Sequence, residues 1–327
     1  MGGQPPQALT PRTELPDFAV AVDIGGTKIA AAGVARDGQL VHRTSVPTPR
    51  DSSDSLLEAA VRLVRGVCEA LGGRPAGVGV AVAGAVDPTC GDVRYAPNIP
   101  ALEEFPLQRL LREAVGLPVL VGFDGHFTAL GEYRAGSGRG SRNMVLLTVG
   151  TGIGGGLILD GRLYRGSDNL AGAAGWMIAD PAALDPASPR FTGNLESVAA
   201  GPAIAAALAS AGDAGDQDHP PASAEGVLAA ARAGDQHARD VLSDAGSFLA
   251  YAVTGIVSLL NPDKVIIGGG LGSTGVFLAT VRTAVTAFAQ PTSRNRVVIE
   301  TAELGADAAL VGAACALFDA VQTTAES

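Results

Sequence analysis

The sequence predicts an α/β protein of two domains, built from a duplicated βββαβα unit. Three observations carry that expectation. The chain has 327 residues, enough for about two domains that each bury a core, and 47% of them are hydrophobic. Apolar runs that read as strands and stretches of helical spacing follow one another in the same order in both halves. Two glycine-rich turns, Asp23-Ile24-Gly25-Gly26-Thr27-Lys28 and Gly150-Thr151-Gly152-Ile153-Gly154-Gly155-Gly156, each follow such a strand, one per half.

Residues 1–17, rich in Pro, Gln and Thr without apolar periodicity, are expected to be a disordered tail. The first copy opens with strands Phe18 to Ile24, Lys28 to Ala35 and Leu40 to Pro47, turned at Gly25-Gly26 and Arg36-Asp37-Gly38. A helix over Ser52 to Leu71 follows, with Leu56, Leu57, Ala60, Leu63, Val64 and Val67 at helical spacing and Gly72-Gly73 ending it. Strand Gly77 to Ala83, helix Pro106 to Val115 and strand Pro118 to Phe123 complete the unit. The second copy begins at Asn143 with strands Met144 to Val149 and Gly154 to Leu159 and a hairpin turn at Asp160-Gly161. Helices Leu195 to Ala211, Ala222 to Ala233 and Asp235 to Leu260 come next, the first two separated by an acidic, core-free loop over 212–221. Strand Lys264 to Ile267, helix Gly275 to Phe288, strand Val297 to Thr301 and helix Ala306 to Val321 close the chain. The expected domains are a small one of residues 18–122 plus 306–323 and a large one of residues 123–305. Near-continuous Val/Ile/Leu runs suit parallel strands covered on both faces.

Composition narrows the function. The formal charge is −10 with no basic block, which argues against a nucleic-acid partner. Cys68, Cys90 and Cys315 are far apart and odd in number, against a disulfide framework and in keeping with a reducing cytoplasm. Uncharged stretches such as Met144 to Leu159 are broken by glycines and short for a membrane span, and no signal-peptide core precedes Phe18. A cytoplasmic protein with no membrane partner is expected. The chain's 2 lysines, Lys28 and Lys264, fall beside glycine runs.

Glycine turns bring backbone N–H groups close to a phosphate, because without a Cβ the main chain can bend tightly and approach the ligand. Either turn alone is also explained as a hairpin bend. Two at equivalent places, with a third glycine run at Gly268-Gly269-Gly270 after another strand, point to a nucleotide clamped between two halves.

At this point the chain resembles the ROK family (repressors, open reading frames and sugar kinases) of the actin-like kinase and Hsp70 superfamily. The matching pieces are the two glycine turns, Ala96-Pro97-Asn98-Ile99-Pro100, Asp124 followed by Ala129-Leu130-Gly131-Glu132, Arg165-Gly166, Asn261-Pro262, Gly268-Gly269-Gly270 and Leu304-Gly305-Ala306-Asp307-Ala308. The resemblance implies an actin-like (ribonuclease H-like) two-domain fold and an ATP-dependent kinase that needs Mg²⁺, with a sugar or cyclitol acceptor and a homodimeric state. Only 17 residues precede the first strand, so a repressor with a winged helix at that place is not expected. Asp23 would help to hold Mg²⁺ through water, Gly25, Gly26, Thr27, Lys28, Gly150, Thr151 and Gly152 the phosphates, and Gly269 and Gly270 would flank adenosine. Asp124, at the end of a strand, is the candidate general base. The acceptor set is Gly84, Asn98, Phe123, Asp124, Ala173, Trp176 and Glu196. Structural alternatives stand beside these roles: turn-capping for Asp23, helix capping for Asp124, a plain turn for Asn98, and a first-turn helix charge for Glu196.

Three departures bear on the acceptor. The family's Ala-Gly-Glu-Ile-Gly-His reads Ala171-Gly172-Ala173-Ala174-Gly175-Trp176, and its Asn-Asp-Ala-Asn reads Phe123-Asp124-Gly125-His126. Its cysteine-rich zinc loop is replaced by Ile178 to Leu195, which holds neither Cys nor His, so no structural zinc is expected. Glucose hydroxyls would face Ala173, Trp176 and Phe123, which favours a C7-cyclitol or modified sugar phosphorylated on its exocyclic CH₂OH; glucose itself and a non-catalytic sugar sensor are the alternatives. Trp176 is expected to fill the core, with a stacking platform for the acceptor as the other possibility.

Overall fold

The computed structural model describes residues 18–184, 193–211 and 223–326. The expected tail over 1–17 and the acidic loop over 212–221 lie outside them. Strands β1 (Phe18–Ile24), β2 (Lys28–Ala35) and β3 (Leu40–Pro47) form an antiparallel meander. Helix α1 (Ser53–Leu71) follows, opened by Ser52, whose hydroxyl accepts the Ser55 N–H at 3.1 Å, and closed by Gly72 in the left-handed region. Next come β4 (Val78–Val82), the short hairpin β5 (Ala85–Val86) and β6 (Val93–Tyr95), α2 (Leu107–Val115), β7 (Val119–Phe123) and α3 (Asp124–Ala135). The second half runs β8 (Met144–Val149), β9 (Ile153–Leu159), β10 (Arg162–Tyr164), α4 (Asn194–Ala199), α5 (Gly201–Ala211), α6 (Ala224–Ala233), α7 (Gln236–Leu260), β11 (Lys264–Gly268), α8 (Gly275–Phe288), α9 (Pro291–Arg294), β12 (Val298–Thr301) and α10 (Ala308–Glu326).

The duplication is visible in the sheets. One has the order β3-β2-β1-β4-β7 and the other β10-β9-β8-β11-β12, each an antiparallel meander extended by two parallel strands. The first sheet buries Val20, Val22, Val80 and Val82 against Leu56, Leu63 and Val67 of α1 and Leu107 and Leu111 of α2. Its other face, lined by Ala19, Ala21, Ala30 and Ala32, packs on Leu310, Ala313, Ala314 and Leu317 of α10. The second sheet packs one face on α4 to α8 and the other on α3, through Ala129 against Met144, Leu146 and Ile266.

Helices α3 and α10 cross between the sheets in near-backbone contact. A Cβ on Gly131 would strike Ala308 O, and one on Gly312 would strike Phe127 O. Glu132, fully buried, pins the chain on both sides of this crossing: its carboxylate accepts N–H groups from Ser137 at 2.9 Å, Glu303 at 3.1 Å and Leu304 at 2.7 Å. Helix α7 and the stretch 305–323 are long and apolar enough to cross a membrane, yet 50% and 61% of their most apolar windows are buried in this fold.

Three expectations need correction. The single helix over Leu195 to Ala211 is two, because Ala200 is extended (φ −81°, ψ 164°) and the chain restarts at Gly201-Pro202. Strands β5 and β6 had no counterpart among the expected elements, while β10 follows the expected hairpin turn at Asp160-Gly161. Lys264 stands at the opposite end of β11 from Gly268, its ammonium bonded to Glu300 at 2.8 Å and to Ser137 O at 2.5 Å.

Candidate active site

Parallel register decides what meets here. Ile24 of β1 pairs with Val82 of β4, and Val82 with Phe123 of β7. The three strands therefore stop level, and Gly25, Ala83 and Asp124 leave the sheet side by side, with Gly84 one residue further on. Thr148 of β8 pairs with Gly268 of β11, so Gly150 and Gly270 also leave together. Ligands of open α/β sheets bind at such carboxyl ends.

The first turn is closed by the Gly25 N–H on Lys28 O at 3.1 Å. Thr48, buried just beyond β3, fastens it: its hydroxyl donates to Gly25 O at 2.6 Å and its N–H to Thr27 O at 3.1 Å. Thr27 and Lys28 are exposed. Asn98, also exposed, is brought against the turn, since a Cβ on Gly26 would stand 2.9 Å from Asn98 O. Gly84 lies under Tyr95 O of β6, where a side chain would not fit.

In the second turn Gly150 N–H donates to Gly152 O at 2.9 Å, and Gly201 N–H donates to Gly150 O at 2.8 Å, so the break before α5 serves this loop. Thr151 is exposed. Gly269, at φ 83°, lies against Val149 O, which accepts the N–H groups of Leu271 at 3.1 Å and Gly272 at 3.3 Å. A Cβ on Gly150 or Gly270 would meet nothing within 4 Å, so both glycines face open space. Glu196 stands in the first turn of α4, but its Oε2 accepts the Ile153 N–H at 2.7 Å, tying that helix to the glycine turn.

Two acids face this junction. Burial pushes the Asp23 carboxyl up to about 6, against the pull of Lys28 and Arg43. Asp124, the first residue of α3, is pushed up to about 7, first by burial and then by the charge of Asp23, while the Gly125 N–H on its Oδ1 at 2.7 Å opposes the shift. That contact is to the next residue only; the N-cap position is Phe123, without a side-chain cap bond, so Asp124 does not take the expected capping role. A carboxyl that titrates near neutrality can take a proton from a hydroxyl and release it again. Backbone N–H groups at two open glycine turns fit a nucleotide's phosphates. No group of three or more His, Cys, Asp or Glu able to hold a metal occurs among the described residues, so a divalent cation beside Asp23 would complete its shell with ligand oxygens and water, as Mg²⁺ on a nucleotide does.

The far wall is the turn Ala174–Trp176. Ala174 and Gly175 are its buried members, with Gly175 against Ile153 O and Glu196. Trp176 is 55% exposed, which overturns its expected place in the core: the two small residues occupy the interior and turn the indole outward. Ala173 and Phe123 are half-buried, the Phe123 ring edge-on to His126 at 5.1 Å. Thr48 and His126 escaped the sequence reading.

A model of the ROK family matches residues 19–320. The bifunctional enzyme NanE/NanK of Brucella melitensis is 37% identical over 298 residues, covering 90% of this chain and 53% of that protein, so the chain spans about half that relative's length. The glucokinase of Halalkalibacterium halodurans is 32% identical over 309 residues, covering 90% of this chain and 92% of that one. The ROK hexokinase of Thermus thermophilus superposes with a TM-score of 0.81 at 29% identity, covering 94% of this chain and 99% of that one. A ROK family glucokinase from Streptomyces griseus, solved with glucose and AMPPNP, superposes with a TM-score of 0.74 at 31% identity over 91% and 98% of the two chains. The two paired sheets thus have the actin-like (ribonuclease H-like) arrangement of those enzymes. Matched by the family model from its first strand into its last helix, and above 30% identity to relatives over nine-tenths of its length, the chain belongs to the ROK family.

Proposed function

We propose that this chain is an ATP-dependent, Mg²⁺-requiring kinase that phosphorylates the exocyclic CH₂OH of a C7-cyclitol or modified sugar. The observation that carries it is Asp124: a carboxyl held near neutrality, level with the first glycine turn, at the end of a parallel strand. In the transfer the acceptor oxygen bonds to the γ-phosphorus, the bond to the β–γ bridging oxygen breaks, ADP leaves with that electron pair, and the hydroxyl proton passes to Asp124. The turns Gly25 to Lys28 and Gly150 to Gly152, closed by their own Gly25 and Gly150 N–H groups, hold phosphate oxygens through the N–H groups that remain, with Asp23 toward the cation and Gly269-Gly270 along adenosine. Gly84, Asn98 and Glu196 border the acceptor. Mg²⁺, when bound, neutralises charge on the phosphates. On this reading the chain works in the cytoplasm as a homodimer.

Phe123, Ala173 and Trp176 in place of polar partners support the modified acceptor, because each glucose hydroxyl left unpaired weakens binding by about tenfold or more. An ordinary glucokinase is the second reading, favoured by relatives of that name at 32% and 33% identity over 90% of the chain. ATP-coupled profiling of cyclitols, N-acetylated sugars and glucose decides between them. A kcat/KM for a cyclitol or modified sugar at least about tenfold above glucose is expected. Glucose used as well as any other acceptor would establish the second reading, and no turnover with any acceptor would leave a sugar sensor.

A further inference from the structure

We propose that the segment 165–173 is a strap that sets which acceptors fit, and that His126 is the positioning residue holding it in register with Asp124. The inference deepens the kinase reading and rests on it for the word acceptor; the geometry of the strap does not.

His126 is fully buried in the first turn of α3, two residues beyond Asp124. Its Nε2 lies 2.7 Å from Ala171 O. A carbonyl oxygen only accepts, so the bond assigns the ring proton to Nε2 and leaves Nδ1 as a bare acceptor. Nδ1 is buried and has no partner of hydrogen-bonding geometry among the described residues; the Asn169 side chain acts on the ring, while its Nδ2 donates to Val86 O at 3.0 Å. Burial first, and then the Arg165 charge, push the imidazole down to about 4, so the ring stays neutral near pH 7 and serves as a fixed donor.

The strap is closed on itself and fastened at two further points. Ala171 N–H donates to Arg165 O at 3.0 Å, and Arg165 Nη1 donates to Asn169 Oδ1 at 3.3 Å. Asn169 is 2% exposed and held at φ 60°, in the left-handed region that asparagine enters more readily than most residues. Its bond to Val86 ties the strap to β5, which belongs to the first half of the chain. Past Ala171, Gly172 at φ 94° lies on Gly155 O of β9, and the next residue is Ala173 of the acceptor wall. Base and wall thus meet through one short bond, with two residues on each side of it. Loss of that bond would free the wall while the internal closures of the glycine turns, Gly25 N–H on Lys28 O and Gly150 N–H on Gly152 O, remain in place.

The test compares His126→Ala with His126→Gln, whose amide restores a donor near the Nε2 position. Hydrogen exchange at amides 171–176 should quicken about tenfold in the alanine variant and return toward wild type in the glutamine variant. In the active enzyme the alanine variant should raise KM for the acceptor about tenfold, hold KM for ATP within twofold, and release more ADP per acceptor phosphorylated. Unchanged exchange over 171–176, or equal changes in both KM values, would overturn the proposal. Imidazole ¹⁵N shifts of the wild-type protein give a check that needs no variant: a neutral Nε2–H ring at pH 6 is expected, and an Nδ1–H or charged ring would overturn it. If wild type phosphorylates nothing, the kinase reading fails, and exchange and ¹⁵N shifts still decide the strap.

Discussion

Replacing Asp124 by Asn should abolish phosphoryl transfer and at the same time stabilise the fold. The carboxyl titrates from 3.8 in an unfolded chain to about 7 here, roughly three pH units. At about 1.4 kcal/mol per unit, ionised Asp124 costs the folded state about 4 kcal/mol once the pH is above its folded value. The sign follows from proton binding. Between about 4 and 7 the folded protein holds this proton more tightly than the unfolded chain, so stability is fully present below 3.8 and is lost as the pH rises through 7. An amide oxygen can still accept the Gly125 N–H at 2.7 Å, while the new NH₂ gains no certain partner and offsets part of the gain. Urea unfolding at pH 8 should therefore find Asp124→Asn about 2 to 4 kcal/mol more stable than wild type. At pH 5, where the folded wild type is protonated, the difference should shrink to less than about 2 kcal/mol. Activity should fall by about 10² or more, because the amide keeps the shape but takes no proton. A variant no more stable than wild type at pH 8, or a difference that does not change with pH, would refute the burial argument. Turnover within a few-fold of wild type would remove Asp124 from the mechanism.

Gly312→Ala should cost about 3 kcal/mol or prevent folding, since its Cβ would overlap Phe127 O; a denaturation midpoint near wild type would show that α3 and α10 can separate. Thr48→Val removes the hydroxyl held at 2.6 Å from Gly25 O and should raise KM for ATP about tenfold with the acceptor KM unchanged; equal changes in both would place Thr48 outside the nucleotide site. Elemental analysis of the purified protein should find no stoichiometric zinc, because residues 178–195 hold no Cys or His, and one zinc per chain would contradict this. Small-angle scattering should show compaction when nucleotide and acceptor are bound together, and an unchanged radius at saturation would count against a cleft that closes.

Much of the fold was legible because its boundaries carry local chemistry. Strands β1, β2 and β3 begin and end at the expected residues, where Gly25-Gly26 and Asp37-Gly38 force the turns. The break at Ala200 was missed although Gly201-Pro202 announces it: proline lacks an N–H and suits the first turn of a new helix. Strands of two or three residues, such as β5 and β6, are too short to show a period. At the site, the glycine turns and Asp124 were readable because each is a feature of adjacent residues. Thr48 and His126 were not: their partners are backbone oxygens 23 and 45 residues away, and no local pattern records a contact with a carbonyl. Trp176 was misjudged because size alone suggested burial, whereas the buried positions of its turn went to Ala174 and Gly175.

The matching order of the two sheets has a consequence for how the labour is divided between them. Matching the sheets at their first glycine turns sets Thr148 at the place of Asp23, and the parallel ladders then set Leu304 at the place of Asp124. Both copies keep a glycine turn after their first strand, but only one keeps the acids. A repeated frame thus offers two equivalent places for an acid and equips one of them. On the kinase reading, the reacting end of the ligand lies toward the first copy, and the second copy is left to grip. Directionality in this molecule comes from two side chains that the repeat did not retain.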